Sequence, residues 1–361
     1  MSLDSALLWS LIAAASIAIG TYIVHGAWHT LGAWRLRRAG PRRLSSSAHV
    51  LWRDPGDVSA LDLAAGPGGE DGRPAPPFQF VEEHGAGSQP CVTLRDVRQR
   101  RWRVKWGNEV NSETFAVRIV WACGFFAETT HFVREGTVTG AAGLQRAAAC
   151  LDEHGHFTSA RFELDDSAVR KHFEEHSWSW NDNPFLGSRE LQALKIMTML
   201  LSNWDTKDRR DVARGSNTAI FEHRTPAGRE ARYLITDWGG SMGSWGANIV
   251  TRGRWDPAAF AAQTPQFVNA VEEGVVKFGY AGQRTEDVAS GITPDDVRWL
   301  SRYLGQLTDA QLDAALGASG ATVEERDQFR SALRDRINQL VRAGGVSRRP
   351  GNEGTAGSSR R

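Results

Sequence analysis

Residues 188–208 read SRELQALKIMTMLLSNWDTKD, and the fold assignment depends on this stretch. Apolar side chains recur along it at helical spacing, at Leu191, Leu194, Ile196, Met197 and Leu201. Because Ser188 is a favourable N-cap residue, the pattern predicts an amphipathic helix from Ser188 to Leu201. The helix leads directly into the polar segment 203–208, so its C-terminal end would present charged side chains.

Two strands are predicted after this polar segment. Asn217–Glu222 and Ala231–Thr236 are rich in residues that favour strands, and Pro226-Ala227-Gly228 between them is typical of a turn. The second strand ends at Asp237, which is followed by Trp238-Gly239-Gly240. The pair therefore delivers one carboxylate at the point where an apolar strand enters a glycine-rich segment.

Upstream, the sequence predicts a small antiparallel sheet made of strands at 78–81, 91–94 and 101–106. The period then changes, and a helix is predicted from Ser112 to Gly124. Near the end of the chain, 295–341 is predicted to be helical, after a start signal at Thr293-Pro294. A small β lobe followed by a mainly helical lobe predicts a bilobal α+β fold.

Charge and cysteine content exclude several classes of protein. The chain has 361 residues with 43 Lys and Arg against 42 Asp and Glu, a net charge of +1. Proteins that bind nucleic acid usually have a strong basic excess, so we expect no nucleic-acid partner. The three cysteines, Cys91, Cys123 and Cys150, form no CxxC pair, which argues against a zinc ribbon or a disulfide scaffold.

The N-terminal region predicts a membrane anchor. Residues 6–24 carry no charged side chain and would span roughly 28 Å as a helix, enough to cross a bilayer. Only Asp4 is charged before this segment, whereas arginines are frequent in 35–43. This asymmetry predicts a single-pass membrane protein with a cytoplasmic folded part. The alternative is a signal sequence that is cleaved during export.

Composition divides the chain into five segments. The predicted segments are 1–43 (transmembrane anchor and basic flank), 44–77 (Gly/Pro-rich linker), 78–135 (small β lobe with one helix), 136–343 (helical lobe) and 344–361 (disordered tail). The helical lobe would contain the catalytic and metal-binding segments.

Several charged residues occur in an order that suits phosphoryl transfer. Lys105 would end the third strand, and Glu113 would lie at the head of the next helix. Asp205 follows the long apolar helix, and Asp237 ends the later strand pair. Phosphoryl transfer requires a Lys on the nucleotide phosphates, an acid that holds that Lys, a carboxylate near the attacking hydroxyl and oxygen ligands for Mg²⁺. Asn217 and Asp237 are the expected metal ligands.

The motifs WRVKWG (102–107), WNDNPFLGSRELQALKIMTMLLSNWD (180–205) and YLITDWGGSMG (233–243) resemble the protein-kinase-like superfamily, and within it the HipA-like and CotH-like kinases. A narrower resemblance over 50–343 is to a family of bacterial membrane or exported proteins. The superfamily resemblance implies ATP and Mg²⁺ as cofactors. It implies these residue roles: Lys105 and Glu113 at the nucleotide, Asp205 as the catalytic-loop Asp, Lys207 at the transferring phosphate, and Asn217 and Asp237 at the metal.

Two departures from the kinase pattern keep other functions open. Asn217 stands twelve positions after Asp205, and the glycine loop EHGAGS (83–88) is not G-x-G-x-x-G. Both departures suit atypical kinases, and both suit a pseudokinase that acts as a nucleotide- or protein-binding module at the membrane. Asp208 and Asp211 are alternative carriers of the base or metal role. Transfer of a nucleotidyl group on the same fold also stays open.

Two other patterns in the sequence are compatible with a serine hydrolase and with a zinc site. Gly239-Gly240-Ser241-Met242-Gly243 matches the G-x-S-x-G nucleophile motif, which would make Ser241 the nucleophile of a serine hydrolase. The histidines His154, His156, His172 and His176 have spacings that zinc ligands can use. The sequence does not identify the acceptor of a transferred phosphoryl group, which could be a protein, a lipid or a small molecule.

Overall fold

The computed structural model describes residues 47–85, 89–166, 169–172, 177–205, 217–246, 248 and 250–345. The predicted membrane segment 6–24 lies outside these ranges, as do Lys207, Asp208 and Asp211. Within the described ranges, no helix has the length and apolar character needed to cross a bilayer.

The described strands are β1 (Ser47–Val50), β2 (Phe78–His84), β3 (Cys91–Arg95), β4 (Arg101–Lys105), β5 (Thr130–Thr139), β6 (His156–Leu164), β7 (Arg170–His172), β8 (Thr218–Thr225), β9 (Gly228–Ile235), β10 (Val268–Glu272) and β11 (Val275–Phe278). The described α-helices are α1 (Val110–Ala122), α2 (Arg189–Leu200), α3 (Pro257–Gln263), α4 (Thr285–Ala289), α5 (Pro294–Leu304), α6 (Asp309–Ala318) and α7 (Val323–Ala343). The fold is therefore mixed α+β, as the sequence predicts.

The small β lobe is a closed barrel with the strand order β2-β3-β4-β6-β5. Alternate residues of β4 fill its interior, where Trp102 and Val104 are fully buried, and Lys105 ends the strand on the outer face. The three predicted strands are confirmed, but the barrel continues to Leu164, beyond the predicted boundary at residue 135. The hairpin of β5 and β6 supplies the two strands that close it, and a short parallel contact joins β5 to β2.

Helix α1 follows the third barrel strand, as predicted, and almost all of its side chains are buried. Its apolar residues, such as Phe115 and Ile119, belong to the main core of the molecule rather than to the barrel interior. The helix ends before Gly124, which has a φ of +88°. A Cβ atom there would lie 2.2 Å from the carbonyl oxygen of Arg53, so only glycine fits.

A second sheet has the strand order β1-β9-β8-β7. The predicted turn at Pro226-Ala227-Gly228 joins β8 to β9, which confirms this hairpin. One face carries Ile220 and Tyr233 into the main core. The opposite face carries Phe221 and Leu234, which form a small cluster that also contacts Phe126. The predicted helical lobe 136–343 therefore contains strands as well as helices.

The structure differs from the linker expected for 44–77. Strand β1 pairs in parallel with β9, and Leu51, Val58 and Leu63 are buried in the main core. Glycines such as Gly56, Gly66 and Gly69 have positive φ angles and lie in the irregular chain between and after these apolar anchors. The composition of 44–77 predicts a linker because three apolar residues change the average composition of the segment very little. Burial of these side chains nevertheless attaches the chain to the core.

The long helix on which the fold assignment depends is confirmed as α2. The hydroxyl of Ser188 accepts a hydrogen bond from the Leu191 amide at 3.2 Å, which caps the helix. Helix α5 begins with the predicted start signal, where Thr293 and Asp296 form a reciprocal capping box.

Arg336 on α7 is fully buried and attaches this helix to the end of α2. Its guanidinium donates to the carbonyl oxygen of Leu200 at 2.9 Å and to the hydroxyl of Ser202 at 2.7 Å. It also donates to the carbonyl oxygen of Phe260 at 2.9 Å and to the hydroxyl of Thr264 at 3.0 Å. Carbonyls, hydroxyls and aromatic rings thus surround a buried cation at the C-terminal end of α2, where a positive charge is favourable.

We predict that Arg336→Met destabilises the fold by about 3 kcal/mol or more, because four buried acceptors lose their donor. Arg342→Met, on the exposed side of the same helix, is the matched control and should change the unfolding free energy by less than about 0.5 kcal/mol. Urea denaturation of both variants measures the difference. Equal stabilities would contradict this account of Arg336.

His131 is a buried histidine at one end of the barrel. Its ring meets the Trp102 ring edge-on at 5.9 Å, and the turn at Gly68 covers it closely. Burial, with the positive charges of Arg118, Arg73 and Arg100, lowers the pKa of His131 to about 3. The imidazole is therefore neutral in the folded state at pH values where it binds a proton in the unfolded chain.

Stability should consequently fall with acidification between pH 6.5 and 3, because only the unfolded state takes up the proton in this window. The contribution of His131 amounts to about 2 kcal/mol between pH 6.5 and 5. Over that range, the free energy of unfolding of the wild type should fall by this amount more than that of His131→Gln. His154→Gln, whose parent side chain is 82% exposed, should follow the wild type. A pH dependence retained in His131→Gln would refute the assignment.

Candidate functional site

The segment that follows α2 holds Asp205 in a fixed position. Ser202 has a left-handed backbone with a φ of +55°, which turns the chain sharply after the helix. The Tyr280 hydroxyl then donates to the carbonyl oxygen of Asn203. Gln283 donates two hydrogen bonds to this segment. Its backbone N–H donates to the carbonyl oxygen of Trp204 at 3.0 Å, and its side-chain Nε2 donates to Oδ1 of Asp205 at 3.1 Å. The carboxylate of Asp205 is thus oriented from the 280–283 side.

Two asparagine side chains join the segments that carry the predicted site residues. Asn217 donates through Nδ2 to the carbonyl oxygen of Asp205 at 2.8 Å. Asn203 donates through Nδ2 to the carbonyl oxygen of Asp237 at 3.1 Å, and its Oδ1 accepts from the amide of Asp205 at 3.1 Å. Asp205, Asn217 and Asp237, which are far apart in sequence, are therefore brought together. We call these three residues and Asn203 the polar junction.

The strand β9 delivers Asp237 to the polar junction. Oδ1 of Asp237 accepts a hydrogen bond from the Gly239 amide at 2.9 Å, and Oδ2 accepts none from any described residue. Gly240 comes so close that a Cβ atom there would lie 3.2 Å from the Cβ of Asp205. Gly240 therefore permits the close approach of the two carboxylate-bearing segments.

The glycine turn after Asp237 is also attached to the start of α1. The Ser112 hydroxyl donates to the carbonyl oxygen of Gly239 at 3.0 Å. Glu109 lies against the same glycine and forms an ion pair with Arg254. The helix that carries Glu113 thus contacts the segment that carries Asp237, so the barrel side and the helical side of the site are joined here.

The structure corrects one predicted contact. Glu113 pairs with Arg161 on β6 and not with Lys105 on β4. Arg161 lies directly opposite Lys105 in the barrel and also binds Glu163 at 2.8 Å. Glu113 and Arg161 are at most 2% exposed, whereas Lys105 is half-buried and makes no ion pair with the described residues. The guanidinium reaches two carboxylates at once, which favours arginine over lysine as the buried partner.

The polar junction is chemically suited to Mg²⁺. This ion takes one or two carboxylates with substrate phosphates and waters, and it does not require a complete set of protein ligands. Asp237 offers an oxygen that no described residue engages, and the amide of Asn217 supplies a second hard oxygen donor. No group of three His, Cys, Asp or Glu side chains suited to a metal occurs within the described residues. One carboxylate and one amide would therefore hold Mg²⁺ only together with phosphate oxygens and waters.

The structure does not favour the other two chemistries. The Ser241 hydroxyl is fully buried and makes no hydrogen bond within the described part of the chain, so no base is in place to activate it. His154 is 82% exposed and lies on the surface beside Glu153. The side chains of His172 and His176 lie outside what the structure describes.

Several site residues were not predicted from the sequence. Asn203, Tyr280 and Gln283 orient the Asp205 segment, and Arg161 binds Glu113. Asn203 stands next to Trp204-Asp205, so proximity was an available signal for that residue. Tyr280 and Gln283 are almost eighty positions away, and no local pattern distinguishes them from other loop residues.

Comparisons with known proteins add little to this geometry. The chain matches no protein-family model, and no curated protein matches it. Among solved structures, the chain is similar to the crystal structure of a Helicobacter pylori proinflammatory kinase, CtkA. The TM-score is 0.41 with 13% sequence identity, and the match covers 74% of this chain and 98% of that chain. A likeness of this degree does not establish an activity.

A double-mutant cycle tests which strand cation binds Glu113. Glu113→Gln should destabilise the fold by about 3 kcal/mol because it leaves buried Arg161 with one carboxylate fewer. Lys105→Met should change the unfolding free energy by less than about 0.5 kcal/mol, and the two changes should add. By contrast, Arg161→Met and Glu113→Gln should be strongly non-additive. A coupling above about 1 kcal/mol between Lys105 and Glu113 would contradict the observed pairing.

Proposed function

We propose that the chain is an atypical kinase-like phosphotransferase that uses ATP and Mg²⁺ and is anchored in a membrane through residues 6–24. The polar junction is the observation that carries the proposal. In it, hydrogen bonds from two asparagine side chains to the backbone of Asp205 and Asp237 hold together the two segments that carry these carboxylates. These are the groups that an Mg²⁺-assisted phosphoryl transfer needs at one place.

Each residue of the site has a proposed role in the transfer. Asp205, whose Oδ1 is oriented by Gln283, takes the proton of the attacking hydroxyl group. Asp237 and Asn217 would hold Mg²⁺, which supplies positive charge to the phosphate oxygens when it is bound. Lys207, in the sequence just after Asp205, is proposed to neutralise the transferring phosphoryl group. The acceptor hydroxyl must therefore bind on the Asp205 side of the polar junction.

Lys105 is proposed to bind the nucleotide phosphates from the barrel side. It ends the third barrel strand, and Glu113 lies in the first turn of the helix that follows, which is the order expected for the kinase-like small lobe. Because Glu113 pairs with Arg161, Lys105 is available to an anionic ligand. The contact between Ser112 and Gly239 connects this region to Asp237.

The pairing of Glu113 with Arg161 instead of Lys105 favours a second candidate function. A Lys105 that is not held by Glu113 is also what a pseudokinase would show, and such a protein would bind nucleotide without transferring a phosphoryl group. The two candidates differ in a measurable way. Release of ADP from ATP, with or without an acceptor, requires the first function and is absent from the second.

We expect ATP with Mg²⁺ to raise the melting temperature of the full-length chain, because a ligand that prefers the folded state stabilises it. At 100 times the dissociation constant the stabilisation amounts to about 2.7 kcal/mol. Asp237→Asn should abolish the Mg²⁺-dependent part of this shift, since the amide removes a negative charge from the metal site. Asp327→Asn on α7, where the parent side chain is 62% exposed, is the matched control and should retain the whole shift.

The outcomes separate the possibilities. A shift that requires Mg²⁺ and is lost only in Asp237→Asn supports the nucleotide site. Absence of any shift with millimolar ATP and Mg²⁺ in the wild type would remove both the phosphotransferase and the nucleotide-binding module. A shift of equal size in Asp237→Asn would show that Asp237 does not hold the metal.

A further inference from the structure

The loop 250–255 is fixed against the segment that carries Asp205. The indole nitrogen of Trp204 donates to the carbonyl oxygen of Gly253 at 2.8 Å. The backbone N–H of Gly253 donates to the carbonyl oxygen of Ser244 at 2.9 Å. The backbone N–H of Trp255 donates to the carbonyl oxygen of Ser241 at 3.1 Å. The backbone that directly follows Arg252 is therefore held in place.

Two arginines of this loop lie over the Trp204 ring, the residue directly before Asp205. The guanidinium carbon of Arg252 is 4.2 Å from the ring centroid, and that of Arg254 is 5.1 Å away. Arg254 is neutralised by its ion pair with Glu109. Arg252 makes neither an ion pair nor a hydrogen bond with any described residue, and its Nε is buried without a partner.

A guanidinium in this state is suited to an oxyanion. Arginine binds phosphate and carboxylate groups through a planar fork of N–H donors, and it is more weakly hydrated than lysine. Stacking on an aromatic ring restricts the side chain before a ligand arrives, so less conformational entropy is lost on binding. A stacked arginine often serves packing alone, but Arg252, unlike Arg254, forms no ion pair with a described residue that would neutralise its charge.

The position of Arg252 assigns this oxyanion to the acceptor rather than to the nucleotide. The ring on which Arg252 stacks belongs to the residue before Asp205, the proposed base for the acceptor hydroxyl. The cation proposed for the nucleotide phosphates, Lys105, lies on the barrel. Asp205 itself is oriented by Gln283, and Arg252 is not its ion-pair partner.

We propose that Arg252 is an acceptor-binding residue and that the acceptor carries a phosphate group in addition to the hydroxyl that is modified. The assignment of this phosphate to an acceptor rests on the proposed function, whereas the phosphate site itself does not. A phosphorylated small molecule and the headgroup of a phospholipid share the required chemistry.

The test uses the full-length chain and inorganic phosphate as the probe, titrated by calorimetry. A saturating non-hydrolysable ATP analogue with Mg²⁺ fills the nucleotide site, and a parallel series carries Lys105→Met without nucleotide. In both series Arg252→Gln should weaken phosphate binding by about tenfold or more, since a charge-assisted hydrogen-bonding partner is lost. Arg252→Lys should recover part of the affinity. Arg224→Gln, at an exposed arginine of the β8–β9 hairpin, is the control and should bind phosphate like the wild type.

Phosphate affinity that is unchanged in Arg252→Gln would overturn the proposal, as would an equal loss in Arg224→Gln. The melting-temperature shift with ATP and Mg²⁺ is recorded for Arg252→Gln and should be retained. If the wild type shows no such shift but the Lys105→Met series still binds phosphate through Arg252, the proposed function fails and the phosphate site stands. Glycerol 3-phosphate and vesicles of an anionic phospholipid, tested as competitors, then separate a soluble acceptor from a headgroup.

Discussion

The burial of helix α1 is the constraint on which the rest of the structure depends. One side of the helix contributes Phe115 and Ile119 to the main core, and its first turn places Glu113 against Arg161 behind the barrel. The same turn binds the Gly239 carbonyl through Ser112. A helix held on three sides cannot rotate or slide without exposing apolar surface and separating a buried ion pair, both of which are costly. The barrel, the core and the Asp237 segment therefore keep a fixed relation.

Much of the fold could be predicted from local patterns. The helix α2, the β8–β9 hairpin and the start of α5 were predicted because each carries a periodic apolar pattern with a capping or turn residue beside it. The closure of the barrel by β5 and β6 was not predicted, since strand pairing between distant segments leaves no local signal. The packing of 47–77 was obscured by its glycine and proline content.

The candidate site divides in the same way. Asp205, Asn217 and Asp237 were found because carboxylates and amides at the ends of apolar elements are conspicuous in a sequence, and the structure brings them together. The pairing of Glu113 could not be predicted, because choosing between Lys105 and Arg161 requires the register of β4 against β6. Tyr280 and Gln283 act through hydrogen bonds that only the tertiary structure creates.

The parallel pairing of β1 with β9 has a mechanical consequence. The chain ahead of Ser47 enters the fold through β1, whose four residues pair with Arg229–Arg232. A force that pulls on that part of the chain acts along β1. The hydrogen bonds between β1 and β9 are then loaded in shear, so the force is shared among them. Strand β9 receives this force and ends two residues before Asp237. Tension applied to the start of the chain is thus carried to the strand that delivers Asp237, and the main core behind Tyr233 bears it.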